Sequence, residues 1–351
     1  MSDAKLIAVT RTLPKYQRKT AEIIPFVSDW LASEGERYTR KAIKIFEGSG
    51  VETRYGIMDV QDVFTPTDIE EKNARYMQAS KEMGAKVLKD ALEQESWDPQ
   101  SLDFIITVSC TGFMIPSLDA YLINELHLNT AAIRLPVTEM GCAAGVSGLI
   151  YALQFLQSNP EKRGAIVAVE CASATFQHND KSMANVVSTA LFGDGASCVL
   201  VSSKEEDKGP KIKAGGMYHF PDSTHLMGFK WSNTGLQMIL DPDVPEMIAS
   251  HFPKIIPPFL EAHGWDIAEL NHLIFHPGGR KIVSTAEAIF KAYGKNLDQT
   301  KAVLKDFGNL SSVTVLFVLY EFMQLKNPAG TKGLMLSFGP GFSAQRILLE
   351  W

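Results

Sequence analysis

The sequence predicts an α/β protein made of two pseudo-symmetric halves, each a sheet covered by helices. Three observations carry this. Continuous apolar runs such as Asp103–Ser109 and Gly164–Glu170 have the length of strands buried on both faces. They alternate with longer segments of helical apolar spacing, the pattern of layered α/β folds. The third is an internal repeat. Phe192-Gly193-Asp194-Gly195-Ala196-Ser197 echoes Phe338-Gly339-Pro340-Gly341-Phe342-Ser343. The strand ending at Cys110 is echoed 166 residues on by the one ending at His276, and the turn at Cys142 is echoed 167 residues on by Asn309. The halves are placed at 1–208 and 209–351, with the charged run Lys204–Gly209 as the hinge.

In chain order, Lys5–Thr12 reads as the first strand, and helices are expected over Thr20–Glu34 and Arg40–Glu47. Arg37, Arg40, Lys41 and Lys44 give the second helix a basic face, and Gly48-Ser49-Gly50 ends it. Val51–Tyr55 is extended. A long helix spans Thr67–Glu93, with Thr67 as cap and Glu70 completing a capping box. After the strand Asp103–Ser109 come a helix over Ser117–Leu126, a short strand Ala132–Leu135 and an apolar helix Val146–Leu156. Thr189–Val201 is read as a turn and strand, with Asp194 as a turn residue. The second half runs through strand Ile212–Met217, a proline-interrupted helix Pro245–His263, strand Leu273–His276 and helix Ser284–Tyr293. It closes with the apolar helix Val313–Leu325 and strands Leu334–Phe338 and Ser343–Trp351.

Composition narrows the function. A net charge of −6 with scattered lysines and arginines argues against a nucleic-acid partner. Cys110, Cys142, Cys171 and Cys198 show no Cys-x-x-Cys spacing, so neither a metal site nor a disulfide framework is expected. The longest apolar stretch, Val313–Met323, is too short to span a bilayer and contains Glu321, so no membrane association is expected. Met1–Lys5 shows no signal-peptide pattern. The expectation is a soluble cytoplasmic enzyme without cofactor.

Chemistry converges on Cys142. It lies in Gly141-Cys142-Ala143-Ala144-Gly145, a small-residue turn opening an apolar helix. A helix N-terminus favours negative charge, which would lower the thiol pKa and make a nucleophile. The competing reading is a buried structural cysteine. His276, before Pro277-Gly278-Gly279, is either a base beside the thiol or an ordinary loop histidine. Asn309 is either a helix N-cap or a fixed, non-titrating donor. A His and an Asn together can hold a thioester oxygen as it becomes an enolate. That suits carbon–carbon bond formation driven by decarboxylation, with an acyl group waiting on Cys142.

Four ordered motifs then carry a family resemblance over essentially the whole chain: Gly-Cys-Ala-Ala-Gly at 141–145, Phe-His-Pro-Gly-Gly at 275–279, Gly-Asn-Leu-Ser-Ser at 308–312 and Phe-Gly-Pro-Gly-Phe at 338–342. Together they resemble the type III polyketide synthases, the chalcone synthase-like branch of the thiolase superfamily. The resemblance implies a thiolase fold of αβαβα layers, a homodimer and a catalytic set of Cys142, His276 and Asn309. It implies an acyl-CoA starter loaded on Cys142, iterative decarboxylative condensation with malonyl-CoA, and cyclisation to a small aromatic or pyrone. Phe192 matches the gatekeeper phenylalanine between CoA tunnel and cavity. Cys110, Thr111, Thr175 and Ser311 fall where relatives line the cavity, and a cysteine at the Cys110 position points to a bacterial type. Met238 stands near the second gatekeeper phenylalanine, and Phe229 or Gly228 near a cavity glycine of plant enzymes. Ala143 replaces the phenylalanine that follows the plant nucleophile. Arg54 is kept in the CoA-phosphate segment, but Glu52 and Thr53 replace basic residues, so Lys41 and Lys44 are the substitutes.

A ketoacyl-ACP synthase III shares the Cys-His-Asn set but shows His-Gln-Ala-Asn and Gly-Ala-Gly in place of His-Pro-Gly-Gly and Gly-Pro-Gly. A degradative thiolase needs a second cysteine near the C-terminus, which Gly339-Pro340-Gly341 does not offer. A papain-like protease would have a different cysteine motif. The remaining alternative, of another class, is a non-catalytic thiolase-fold scaffold that binds acyl-CoA.

Overall fold

The structure, a computed structural model, describes residues 3–351. Met1 and Ser2, the head of the segment read as leaderless, lie outside the described residues. Nine strands form one hydrogen-bonded sheet. Edge to edge they are His272–Phe275, Lys332–Gly339, Ser343–Glu350, Lys211–His219, Lys5–Thr12, Asp194–Ser202, Arg163–Cys171, Phe104–Val108 and Ile133–Val137. The strands of the two halves are therefore joined, at the Lys5–Lys211 pair, with Leu6 N–H donating to Pro210 O and Ile212 N–H to Ala4 O. Both flanks mix parallel and antiparallel pairs. Phe104–Val108 is parallel to both its neighbours, and His272–Phe275 is parallel to Lys332–Gly339.

Two apolar helices, Ala144–Ser158 and Thr314–Met323, fill the interior between the flanks. The first packs against Arg163–Cys171 and Phe104–Val108 on one side and against Lys211–His219 and Ser343–Glu350 on the other. That explains why it is apolar nearly all round. Its small residues set the approach. A Cβ on Gly145 would lie 2.3 Å from the Ser312 carbonyl oxygen, and one on Gly148 would lie 2.9 Å from Ile166 Cγ2. The two helix starts therefore touch backbone to side-chain-free backbone. The long helix Ile69–Gln94 covers the outer face, burying Met83, Val87, Leu88 and Leu92. Among the described residues no helix is long and apolar enough to cross a membrane.

Several expectations need correction. The long helix is capped by Asp68, whose carboxylate accepts the Glu71 N–H, because Thr67 lies one residue too early to reach the free donors. The basic helix begins at Glu36 rather than Arg40. The run read as a hinge is pinned. Asp207 takes two hydrogen bonds from Arg163, at 2.5 and 2.8 Å, and one from Ser202, and Lys5 Nζ donates to the carbonyls of Lys204 and Asp207. The pattern does not show the strand Tyr16–Lys19, the helices Val60–Phe64, Met183–Leu191 and Asp298–Phe307, or the hairpin Met227–Ser232/Gly235–Leu240. The hairpin signal was present in alternating Met-Gly-Phe-Lys-Trp-Ser and the Asn233-Thr234 link.

Candidate active site

The turn Gly141–Ala143 presents Cys142 at the head of helix Ala144–Ser158. Gly141 has φ +51°, and a Cβ there would meet Pro340 Cδ at 2.5 Å. Pro340 of the Gly-Pro-Gly loop thus packs directly on the cysteine turn, and Ser337 Oγ donates to Cys142 O at 2.7 Å. His276 caps strand His272–Phe275, its N–H bonded to Leu336 O at 2.9 Å. Asn309 lies between helix Asp298–Phe307 and the turn Ser311–Val313. Its backbone is clamped to the neighbouring chain: Asn309 N–H donates to Leu191 O and Gly193 N–H to Asn309 O, a bridge that also fixes Phe192.

All three side chains line one chamber with about 760 Å³ of empty space and a mainly apolar wall. Phe192, Cys110, Thr111, Thr175, Met238, Ser311 and Phe229 line the same chamber. Phe229 and Met238 are cross-strand partners in the hairpin, so the two variable positions form one wall. The sequence reading missed Glu170 beneath the floor and the wall residues Leu191, Met227, Ile282 and Phe338.

The electrostatics overturn one expectation. Burial, not the helix end, dominates the Cys142 thiol and pushes it up to about 12, against hydrogen bonds from Ser311 and Asn309 that lower it. Its Sγ lies 3.6 Å from Ser311 Oγ. Burial pushes His276 down to about 3. Both His276 ring nitrogens are buried without a hydrogen-bond partner. The resting pair is thus neutral thiol and neutral imidazole. Unsatisfied buried groups are costly and mark positions that await a ligand. Asn309 is the opposite case. Its Oδ1 accepts the Ser311 N–H at 2.8 Å, and its Nδ2 donates to Gly278 O at 3.2 Å, which leaves one amide proton free.

Cys110 is tethered elsewhere. Glu170, fully buried, accepts the Cys110 N–H at 3.0 Å, the Thr111 hydroxyl at 2.8 Å and the Ser312 hydroxyl at 2.5 Å. Burial raises the Glu170 carboxyl and pushes the Cys110 thiol well up. Asp194 is structural, accepting N–H bonds from Ile57 and Ser173, both at 2.8 Å.

The basic residues divide. Lys41 and Lys44 are exposed on the rim of a wider cavity of about 1350 Å³, with Arg280 and Lys281 opposite. That cavity meets the chamber at Leu191, Leu240, Gly278 and Ile282. Arg54 does not join them. It is only 2% exposed, and its guanidinium donates to Thr189 O at 2.7 Å and Thr20 Oγ1 at 2.9 Å. The expected phosphate contact is replaced by an interior position, because the strand Thr53–Gly56 turns this side chain inward.

The sequence profile of the chalcone and stilbene synthase N-terminal domain matches residues 3–205, and that of the C-terminal domain matches residues 212–350. The chain belongs to the chalcone and stilbene synthase family. It is 30% identical over 311 residues to 1,3,6,8-tetrahydroxynaphthalene synthase of Streptomyces coelicolor, covering 88% of this chain and 83% of that one. It is 29% identical over 310 residues to phloroglucinol synthase of Pseudomonas fluorescens, covering 88% and 89%. Its fold superposes on the crystal structure of the S. coelicolor tetrahydroxynaphthalene synthase, described as a bacterial type III polyketide synthase. The TM-score is 0.93, at 28% identity over 99% of both chains. This family member is accordingly a type III polyketide synthase with the thiolase-like fold, an acyl-transferring enzyme.

Proposed function

We propose that Cys142 carries the acyl group, and that His276 and Asn309 hold the enolate of a decarboxylating malonyl thioester. The observation that carries this is the chamber itself. A thiol, an imidazole with two unpartnered nitrogens and an amide with one free proton share a mainly apolar enclosure. His276 takes the Cys142 proton as the thiolate attacks the starter carbonyl, and returns it to the departing CoA thiolate. Pairing an imidazolium with a thiolate offsets the burial that raises one pKa and lowers the other. Malonyl-CoA next loses its carboxylate as carbon dioxide, and the bonding electrons become an enolate. Neutral His276 donates one N–H to the enolate oxygen and Asn309 donates the second. The enolate carbon attacks the acyl-cysteine, the Cys142 thiolate leaves, and the lengthened chain remains on CoA for reloading, further extension and cyclisation. Apolar walls exclude water that would hydrolyse the thioester.

Lys41, Lys44, Arg280 and Lys281 ring the adjoining cavity, which suits the phosphates of CoA, and CoA thioesters are the only small molecules required. Phe192 lines the chamber, whereas the lysine-rimmed cavity meets it at Leu191, Leu240, Gly278 and Ile282. The duplication is taken to divide at 208/209. Exposed Phe113, Ile115, Ile133 and Leu135 cluster around the edge strand Ile133–Val137 and its neighbouring loop, which supports a homodimer of this cytoplasmic enzyme.

The test is intact-mass spectrometry of the purified protein with an acyl-CoA panel, followed by product analysis with malonyl-CoA. An acyl adduct on Cys142 and multiply extended products are expected. Turnover with malonyl-ACP but not malonyl-CoA would favour the ketoacyl-ACP synthase alternative. No adduct across the panel would favour the acyl-CoA-binding scaffold.

A further inference from the structure

Behind Thr175, Phe192, Phe229 and Met238 lies a second chamber with about 580 Å³ of empty space, and these residues form a shared wall with the first. Unlike the condensation chamber, it carries charge. Arg18 and Arg54 both line it, among Val60, Phe64 and Phe176. The two arginines stand directly opposite each other in the antiparallel pair Tyr16–Lys19/Thr53–Gly56. They are 8% and 2% exposed. Like charges facing across a ladder are unfavourable, and burial makes them more so.

Nothing in the described protein neutralises them fully. Arg18 Nε and Nη2 and Arg54 Nε are buried without partners. The negative charge acting most strongly on Arg18 is Asp194, whose carboxylate already holds the Ile57 and Ser173 amides. Asp59 and Asp62 act more weakly. Burial pushes Arg54 down to about 9, and the Arg18 charge adds to this. The arrangement lacks one negative charge and several acceptors. The Arg18 guanidinium also lies against Gly56, where a Cβ would come within 2.4 Å of Nη2.

A carboxylate supplies what is missing. It brings one negative charge and two oxygens that accept paired guanidinium donors. A neutral poly-ketone chain would offer acceptors but not the missing negative charge. Resting on the proposed loading of Cys142, we infer that this chamber is a carboxylate subsite. It takes the free end of an ω-carboxyacyl thioester whose carbonyl end is bound at Cys142. The acyl chain passes the shared wall of Phe192, Phe229 and Met238.

Two measurements test this. In the first, the full-length protein is offered matched methyl-ended and ω-carboxy acyl-CoA thioesters over a range of chain lengths, and Cys142 loading is followed by intact mass. At some length the wild type should load the ω-carboxy member about tenfold faster than its methyl-ended partner. Arg18→Gln should erase that ratio. Gly56→Ala, which displaces the guanidinium without touching the reacting groups, should erase it too while keeping methyl-ended loading. The absence of any such preference in the wild type, or its survival in both variants, overturns the subsite. The second measurement is independent of acylation: calorimetric titration with free adipate. If Cys142 accepts no thioester at all, the functional reading fails, yet adipate should still bind, about tenfold more weakly to Arg18→Gln. No adipate binding to the wild type, or equal binding to the variant, defeats the carboxylate assignment whatever Cys142 does.

Discussion

The two halves place equivalent turns at the same site but load them differently. In the first half, the strand end is tethered: Cys110 and Thr111 are held by Glu170. Its helix start is left nearly free, since Cys142 Sγ meets only the Ser311 hydroxyl, at 3.6 Å, and the Asn309 amide. In the second half the roles reverse. The helix-start residue Asn309 is fixed on both sides, through Ser311 N–H and Gly278 O, whereas the strand-end His276 has two unpartnered nitrogens. Each half therefore contributes one fixed group and one available group. A duplicated frame supplies four positions, and local hydrogen bonding decides which of them is left to react.

Replacing the free group of the first half should have the largest effect. Cys142→Ala should abolish starter loading, a fall on the order of 10³-fold or more by intact mass. Retained loading in Cys142→Ala, lost instead in Cys110→Ser, would invert the comparison. Removing the fixed group of the second half separates the steps. Asn309→Ala should still load the starter but release carbon dioxide from malonyl-CoA about 10²- to 10³-fold more slowly. Normal decarboxylation by that variant would remove Asn309 from the enolate site.

The contact between halves is tested by Gly145→Ala. Its Cβ would fall 2.3 Å from the Ser312 carbonyl oxygen, so the two turns must part. A loss of about 1–3 kcal/mol in denaturant melts is expected, with loading slowed as well. His276 should give the protein an acid-sensitive signature. Its pKa is about 3 in the fold against an ordinary 6.5. Below 6.5 the unfolded chain takes up a proton that the folded chain refuses, so stability falls with pH. The slope approaches about 1.4 kcal/mol per pH unit until the folded value is reached. Between pH 7 and 5, wild-type melting temperature should drop more than that of His276→Gln. Parallel curves would show that this imidazole is not buried neutral. The smallest effect is expected from Cys110→Ser, which keeps a hydroxyl for Glu170 and should change loading within about threefold.

Local pattern was enough for much of the architecture. The strand Lys5–Thr12 is found at the residues expected, and the helices opened by Cys142 and Asn309 are each apolar on all sides, as interior helices must be. Helix Met183–Leu191 is not legible in the pattern, and the Met227–Leu240 hairpin leaves only a weak alternation at 227–232. They are short and half-buried, and they are specified by the chamber they close rather than by strong periodicity.

Chain order and residue type alone determined which groups could react: one cysteine in a small-residue turn, one histidine at a strand end, one asparagine at a helix start. Tertiary structure decided their protonation and company. A helix start predicts a lowered thiol pKa, but enclosure by both halves removes water and raises it, because desolvation of a full charge outweighs a partial dipole at the helix end. Arg54 shows the same limit. Its motif reads as a phosphate contact, and only the packing of strand Thr53–Gly56 turns it inward beside Arg18. Sequence spacing fixes which residues exist at each strand and helix end. Which of them are left without a partner depends on what the rest of the chain brings against them.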